Sequence, residues 1–96
     1  MKVIIKKSNI EGKKYTALFY DDNNKKIKTV HFGSSGMSDY TKHRDEDRKK
    51  RYLQRHRARE NWNDYKSAGS LSRYILWNKK TLKESIIDYK KRFNLK

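Results

Sequence analysis

Arginine recurs in the middle of this chain at the spacing of a single helical face. When the segment 44–59 is wound as an α-helix at about 100° per residue, five arginines fall on one narrow stripe and its lysines fall elsewhere. The five are Arg44, Arg48, Arg51, Arg55 and Arg59. A guanidinium group presents a planar fork of donors that matches two phosphate oxygens and also stacks on bases. The stripe, with Arg57 beside it, therefore predicts contact with phosphate groups.

Acidic residues at the start of the same segment compete for its positive charge. Three consecutive acids precede a basic residue by one helical turn: Asp45 before Lys49, Glu46 before Lys50, and Asp47 before Arg51. Because such pairs stabilise a helix, we expect the first half of the segment to be neutralised internally. The free charge then lies at Arg55, Arg57 and Arg59, with Arg48 behind them. Two other interpretations remain open, a solvated helix face and a docking face for an acidic protein.

Histidines and aspartates near this segment raise a second possibility, a metal or nuclease site. His31 and His43 flank Asp39, but no two histidines have the spacing of metal ligands on a helix, and no zinc-binding motif occurs. Cysteine is absent, which excludes thiolate sites and disulfides. A chain this small and polar also has little volume for a catalytic pocket. We therefore expect no enzymatic activity, catalytic residue, metal or cofactor; a nuclease using His31, Asp39 and His43 is the weaker hypothesis.

The overall charge indicates a polyanionic partner. The 96 residues carry a formal net charge of +15, and only 33% of them are hydrophobic. Such a chain forms one domain with a modest core and a basic surface, which most often binds nucleic acid and less often an acidic protein. The apolar run after Met1 is too short for a signal peptide, and no segment has the apolar length of a membrane span. We expect a protein that is not secreted and has no membrane partner.

Residues 1–33 have the pattern of a three-stranded antiparallel β-meander. The predicted strands are 2–7, 14–20 and 26–32. They are rich in β-branched and aromatic residues, and turn-forming residues separate them. In the second strand Tyr15, Ala17 and Phe19 share one face, and the pattern leaves open which face is buried.

A glycine- and serine-rich loop, 34–43, follows the predicted sheet. The run Gly33-Ser34-Ser35-Gly36 precedes a predicted helix, a position where backbone N–H groups can bind phosphate. It lacks the Gly-Lys-Ser/Thr ending of a nucleotide-binding loop, so a plain turn is the preferred interpretation.

Three α-helices complete the predicted fold, whose class is α+β. They are the arginine-rich helix 44–59, a buried helix 68–78 and an amphipathic helix 81–94. The apolar stripe of the last helix consists of Leu82, Ile86, Tyr89 and Phe93. Its opposite face forms a second basic surface with Lys83, Lys90 and Lys91. We expect the second and third helices to cover one face of the sheet and the arginine-rich helix to lie across its edge.

Aromatic residues lie among these charges. Tyr52 and His56 share one side of the arginine-rich helix with Leu53, and Trp62 and Tyr65 follow that helix. Aromatic side chains stack on unpaired bases, but a chain with few aliphatic residues also needs them for its core. We therefore expect Tyr52, Leu53 and His56 to dock the helix, and Trp62 and Tyr65 to cover the core.

A set of short motifs runs from Tyr15 to Phe93. They are His31-Phe32-Gly33, Ser38-Asp39-Tyr40-Thr41, Arg51-Tyr52, Arg55-His56, Ala68-Gly69, Leu71-Ser72-Arg73 and Leu76-Trp77-Asn78. In these motifs the chain resembles a family of small basic proteins of unassigned function encoded by nucleocytoplasmic large (giant) DNA viruses, although the junction Gly36-Met37 departs from the pattern. The resemblance brings no catalytic residues. It implies a viral protein of the virion or the infected host cell, in the cytoplasmic factory or the nucleus.

The leading functional hypothesis combines these observations. We expect a non-enzymatic protein that binds nucleic acid, double-stranded DNA in preference, independently of sequence, and that condenses or packages a viral genome in the virion. The predicted binding residues are Arg44, Arg48, Arg51, Arg55, Arg57, Arg59, Lys83, Lys90 and Lys91. The alternative is a minor capsid or core structural adaptor that binds acidic surfaces of other virion proteins.

Overall fold

A three-stranded antiparallel sheet followed by helices forms the protein, in a computed structural model that describes residues 1–96. The strands are β1 (Lys2–Lys7), β2 (Lys13–Tyr20) and β3 (Lys26–Ser34). The helical segments are α1 (Tyr40–His43), α2 (Glu46–Arg57), α3 (Ala68–Leu71), which continues as a π-helical turn (Ser72–Leu76), and α4 (Leu82–Arg92). The α+β class and the antiparallel meander are confirmed. The short helix α1 lies in the segment that was predicted to be loop.

The sheet has the order β1-β2-β3, and its register settles which face is buried. Val3 lies opposite Phe19 across the first pair, and Ala17 lies opposite Val30 across the second. All four side chains are buried, as is Phe32. Because alternate residues of a strand share a face, the side of β2 that carries Tyr15, Ala17 and Phe19 is the inner one.

Helical residues cover this inner face and complete the core. They come from α3 and the π-helical turn, from α4 and from the segment after α4: Leu71, Ile75, Leu76, Tyr89 and Leu95. Each is at most 8% exposed, and burying an aliphatic or aromatic side chain contributes about 1.5–3 kcal/mol. The second and third predicted helices therefore do cover one face of the sheet.

The segment between α2 and α3 folds back over the core, as predicted for Tyr65. Its ring lies 6.2 Å from that of Phe19 and 5.4 Å from that of Phe93, measured between centroids. The carbonyl oxygen of Tyr65 accepts a hydrogen bond of 2.5 Å from the hydroxyl of Tyr89. Burial raises the pKa of the Tyr89 hydroxyl, which therefore stays protonated as a donor.

Helix α2 begins two residues later than the predicted residue 44. The Asp45 carboxylate accepts hydrogen bonds from the backbone N–H groups of Asp47 and Arg48, at 3.0 and 3.3 Å, and so caps the helix. Arg44 ends α1 in the left-handed conformation, with φ of 54°, which no residue inside an α-helix adopts. The predicted start of α2 was wrong because Asp45 was assigned to an ion pair with Lys49, whereas it caps the helix.

The predicted buried helix, 68–78, is regular only as far as Leu71. Beyond that residue the turn widens, and the N–H of Trp77 donates to the carbonyl oxygen of Ser72 at 3.1 Å, five residues back. Helix α4 begins after Thr81, whose hydroxyl accepts a hydrogen bond from the N–H of Glu84 and caps the helix, and it ends at Arg92, two residues before the predicted residue 94. None of the helices combines the length and the apolar character needed to cross a lipid bilayer.

Candidate functional site, a basic cleft beside helix α2

A cleft of about 890 Å³ separates α2 from the end of the sheet where β2 begins and β3 finishes. Arg48, Arg51 and Arg55 line it from α2, and Lys13 and Lys14 line it from β2. The start of α3 and the end of the π-helical turn close a further side. The volume lies within the range of ligand-binding sites, which is about 300–1,000 Å³. We call this concavity the basic cleft.

The three arginines of the basic cleft have no partner within the chain. Their side chains are exposed and make neither a hydrogen bond nor an ion pair with another residue. Arg48 and Arg55 are seven positions apart, which at about 1.5 Å per residue separates them by about 10 Å along the helix axis. A guanidinium without an internal partner keeps its fork of donors available for a phosphate or carboxylate group.

Stacked rings attach α2 to the rest of the fold. Tyr52 lies between Trp77 and His56, and both ring centroids are 4.2 Å from its own. We call Trp77, Tyr52 and His56 the aromatic ladder. Tyr52 is buried, as predicted for the docking side of this helix, and burial raises the pKa of its hydroxyl. All three residues line the basic cleft, and His56 is the end of the aromatic ladder whose only ring neighbour is Tyr52.

Glu60 fixes the position of His56. One carboxylate oxygen of Glu60 lies 3.2 Å from His56 Nδ1, and the other accepts a hydrogen bond of 2.9 Å from Trp62 Nε1. The carboxylate rests against Gly69, where a Cβ atom would come within 2.9 Å of Glu60 Cδ. A side chain at position 69 would therefore require the Glu60 carboxylate to shift.

A buried ion pair holds the opposite wall of the basic cleft. Lys14 Nζ lies 2.5 Å from the carboxylate of Asp39, and the two side chains are 7% and 2% exposed. Asp39 also caps α1, since it accepts hydrogen bonds from the N–H and the hydroxyl of Thr41. The charge of Lys14 is therefore neutralised within the fold. The net positive charge of the basic cleft comes from Arg48, Arg51, Arg55 and Lys13.

The remaining six predicted binding residues lie outside the basic cleft. Arg44 donates from Nε to the carbonyl oxygen of Lys80 at 3.3 Å. Arg57 and Arg59 are exposed at and beyond the end of α2. The other three are on α4: Lys83, Lys90 and Lys91. Because α4 packs on the π-helical turn and not alongside α2, these lysines do not extend the surface formed by the arginines.

The predicted internal neutralisation of α2 is wrong. Asp45 caps the helix, and Glu46 accepts a hydrogen bond from the Tyr40 hydroxyl. Lys49 turns away from the acids: its Nζ donates to the carbonyl oxygen of Asn78 at 2.7 Å and lies 4.7 Å from the centroid of the Tyr40 ring. None of the three predicted pairs forms. For Asp45, Glu46 and Lys49, capping and tertiary contacts take the place of the exposed ion pairs.

The three residues of the nuclease hypothesis lie in different places. His31 is on the outer face of the sheet, where its Nδ1 is 2.8 Å from the hydroxyl oxygen of Thr16. Asp39 belongs to the ion pair with Lys14. His43 Nδ1 accepts a hydrogen bond of 2.9 Å from the N–H of Asp45. No group of three or more histidine, aspartate or glutamate side chains could hold a metal ion.

The glycine- and serine-rich run is a turn at the rim of the basic cleft. The N–H of Ser35 donates to the carbonyl oxygen of Gly12 at 3.0 Å, and that of Met37 donates to Ser34 at 3.1 Å. Gly33 has φ of 79°, a conformation that favours glycine. Since these two N–H groups are already bonded within the fold, the run forms a plain turn and not a phosphate cradle.

Sequence patterns missed three contributors to this site: Lys13, Glu60 and Trp77. Lys13 opens a predicted strand, and nothing local marks it as a neighbour of α2. Glu60 follows the arginine-rich segment, and no local pattern singles it out. Trp77 ends the predicted buried helix, and the π-helical turn that directs it to Tyr52 has no signature in the sequence.

Comparison with known proteins places most of this site within one family. A family model, "Family of unknown function (DUF5754)", matches residues 3–56, which is more than half of the chain. The chain belongs to the DUF5754 family. The segment that matches DUF5754 runs from β1 to the last turn of α2, so it contains the arginines of the basic cleft but not Glu60 or Trp77. No curated protein and no solved structure matches the chain.

Proposed function

We propose that this protein is a non-enzymatic, sequence-independent nucleic-acid-binding protein. The observation that carries the proposal is the set of three unpartnered arginines, Arg48, Arg51 and Arg55, which line one concave site in a chain of net charge +15. A phosphate backbone offers regularly spaced anions that such a row can contact together. Binding through the backbone needs no particular base sequence.

The resemblance to giant-virus proteins suggests where this activity would operate. In the proposed setting the protein is encoded by a large DNA virus and helps to condense or package the genome in the virion. It would then act in the virion or in the cytoplasmic factory or nucleus of the infected cell. The alternative is a minor capsid or core adaptor, because the same guanidinium groups also fit carboxylates on an acidic virion protein.

The proposal is tested by equilibrium binding to oligonucleotides of random sequence. The affinity is expected to fall between about 50 mM and 200 mM salt, because each neutralised phosphate releases condensed counterions. Replacing Arg48, Arg51 and Arg55 together by glutamine is expected to weaken binding and to reduce the slope of log K against log salt by about two to three.

A matched control removes the same amount of charge elsewhere. The triple variant Lys83→Gln, Lys90→Gln and Lys91→Gln lowers the net charge equally, but none of these residues lines the basic cleft. It is expected to lose much less affinity than the arginine variant. Equal losses would show that total charge and not this site binds the nucleic acid. Absence of binding at physiological salt, together with salt-resistant capture of an acidic virion protein, would favour the adaptor.

A further inference from the structure

We propose that the basic cleft binds a single strand in preference to a duplex, with one base stacked on the open face of His56. This inference rests on the proposed nucleic-acid binding and names the form of nucleic acid. Its starting point is the aromatic ladder. The rings of Trp77 and Tyr52 are 3° from parallel, and those of Tyr52 and His56 are 28° from parallel.

The aromatic ladder has one unoccupied end. Tyr52 has a ring on each of its faces, whereas His56 has Tyr52 as its only ring neighbour. The His56 side chain is 38% exposed and lines the basic cleft. A planar base placed there continues the stack, and base–aromatic stacking tolerates any base because each has a π face.

The imidazole ring of His56 is held in place before any ligand arrives. Glu60 contacts its Nδ1, and Trp62 and Gly69 hold Glu60 in turn. A ring that is already ordered loses little conformational freedom on binding, so more of the stacking energy remains as affinity.

The proposed phosphate contacts come from α2, the helix that also carries His56. Arg55 immediately precedes His56 in the chain, and Arg51 lies one helical turn before Arg55. Both arginines line the basic cleft. A strand whose base stacks on His56 therefore runs beside two guanidinium groups. Arrangements of aromatic rings in a positively charged groove are typical of proteins that bind single strands without sequence preference.

A duplex fits this geometry less well. Its bases are covered by their neighbours, and exposing one requires unstacking. The arginines of α2 face a concavity whose other wall is the sheet end with Lys13 and Lys14, and a base enters this concavity only when it is free of a duplex stack. The exposed start of α2 carries Glu46 and Asp47, whose charges repel phosphate. The geometry thus favours a thin, flexible strand over double-stranded DNA, which the leading functional hypothesis preferred.

The test compares three ligands of one length and at one salt concentration: a single-stranded oligodeoxynucleotide, its duplex, and a strand with the same phosphates but abasic sites. The single strand is expected to bind tighter than the duplex, and the abasic strand is expected to lose about 5- to 150-fold in affinity, the range for one base stack. His56→Ala is expected to lower the affinity for the single strand by the same factor and to lower the affinity for the duplex by much less.

His56→Phe is the matched variant, because it keeps a flat ring at the end of the aromatic ladder while losing the contact with Glu60. It is expected to retain most of the single-strand affinity. Duplex binding as tight as single-strand binding, or equal binding of the abasic strand, would overturn the stacking inference and leave the proposed function standing. If none of the three ligands binds, the proposed function itself fails.

Discussion

The rings of Tyr52 and Trp77 lie face to face, with 3° between their planes and 4.2 Å between their centroids. Tyr52 is the only buried residue of α2, so this stack is the main apolar attachment of that helix. The contact joins the helix that bears the arginines to the end of the π-helical turn. The geometry of the basic cleft therefore depends on a pair of rings that are 25 positions apart in the sequence.

Replacing Tyr52 by alanine should remove this attachment. We expect Tyr52→Ala to lower the free energy of unfolding by about 3–5 kcal/mol, the usual cost of deleting a buried aromatic side chain. Tyr52→Phe keeps both stacked faces and should cost less than about 1 kcal/mol. Urea unfolding followed by tryptophan fluorescence measures both. Similar losses for the two variants would mean that the hydroxyl and not the stack holds α2.

The ion pair between Lys14 and Asp39 should show strong energetic coupling. Lys14→Met leaves a carboxylate that is 2% exposed without its cation, at an expected cost of about 3–5 kcal/mol. Asp39→Asn retains a side-chain oxygen that can cap α1. In a double-mutant cycle, the combined variant is expected to be more stable than the sum of the single losses predicts. Additive losses would show that the two side chains contribute independently.

The protein should lose stability as the pH falls through the range where histidine titrates. Burial lowers the pKa of His43, and the nearby Arg48 charge lowers it further; Asp45 and Asp39 oppose this more weakly. The buried Nε2 of His43 has no hydrogen-bond partner. Because the fold prefers neutral His43, its contribution is complete above the unfolded pKa of 6.5 and is lost as the pH falls through the lower folded pKa.

The free energy of unfolding should be measured between about pH 7.5 and pH 5.5. The proton that His43 takes up on unfolding changes this free energy by at most about 1.4 kcal/mol per pH unit. His43→Asn keeps an acceptor for the N–H of Asp45 but does not titrate, so its profile should be flatter. An unchanged profile in this variant would assign the pH dependence to other groups.

Gly33 and Gly36 form a matched pair for substitution by alanine. At Gly33, with φ of 79°, a Cβ atom would lie 2.8 Å from Leu76 Cδ1. Gly33→Ala is therefore expected to lower the free energy of unfolding by about 1–3 kcal/mol, through backbone strain and overpacking. At Gly36 a Cβ atom would meet nothing within 4 Å, so Gly36→Ala should have little effect. Equal effects on thermal unfolding would contradict this account.

The elements that follow from local patterns could be predicted from the sequence. Alternation placed Ala17 and Phe19 on one face of β2, and the stripe from Leu82 to Phe93 defined α4. These predictions succeed because the period of the apolar residues reports directly on which side chains share a face. Which face of the sheet is buried could not be predicted from the sequence, since both faces of β2 carry aromatic or aliphatic residues.

Competition between interactions explains the main error. Asp45 had two local partners, Lys49 by i,i+4 pairing and the N–H groups of the first helical turn by capping. A cap is worth about 1 kcal/mol and an exposed pair about 0.3–0.5 kcal/mol, so the cap prevails. The same comparison, applied to the sequence, would have placed the start of α2 correctly.

The basic cleft itself could not be derived from local signals. Lys14 and Asp39 are 25 positions apart, and their side chains meet only because the sheet brings the start of β2 to the start of α1. The arginine stripe includes Arg48, Arg51 and Arg55, but the pattern could not distinguish them from its other members, Arg44 and Arg59. That distinction depends on which residues of α2 face the sheet.

The π-helical turn also affects how relatives can be aligned. Its wide hydrogen bond, from Trp77 back to Ser72, accommodates one residue more than a regular α-helical turn does. A homologue with a regular helix would therefore reach the same spatial position with one residue fewer. An alignment without gaps would then pair its stacking tryptophan with Leu76, a core residue. An alignment with such a homologue needs a single-residue gap between Ser72 and Trp77 to keep the two rings in register.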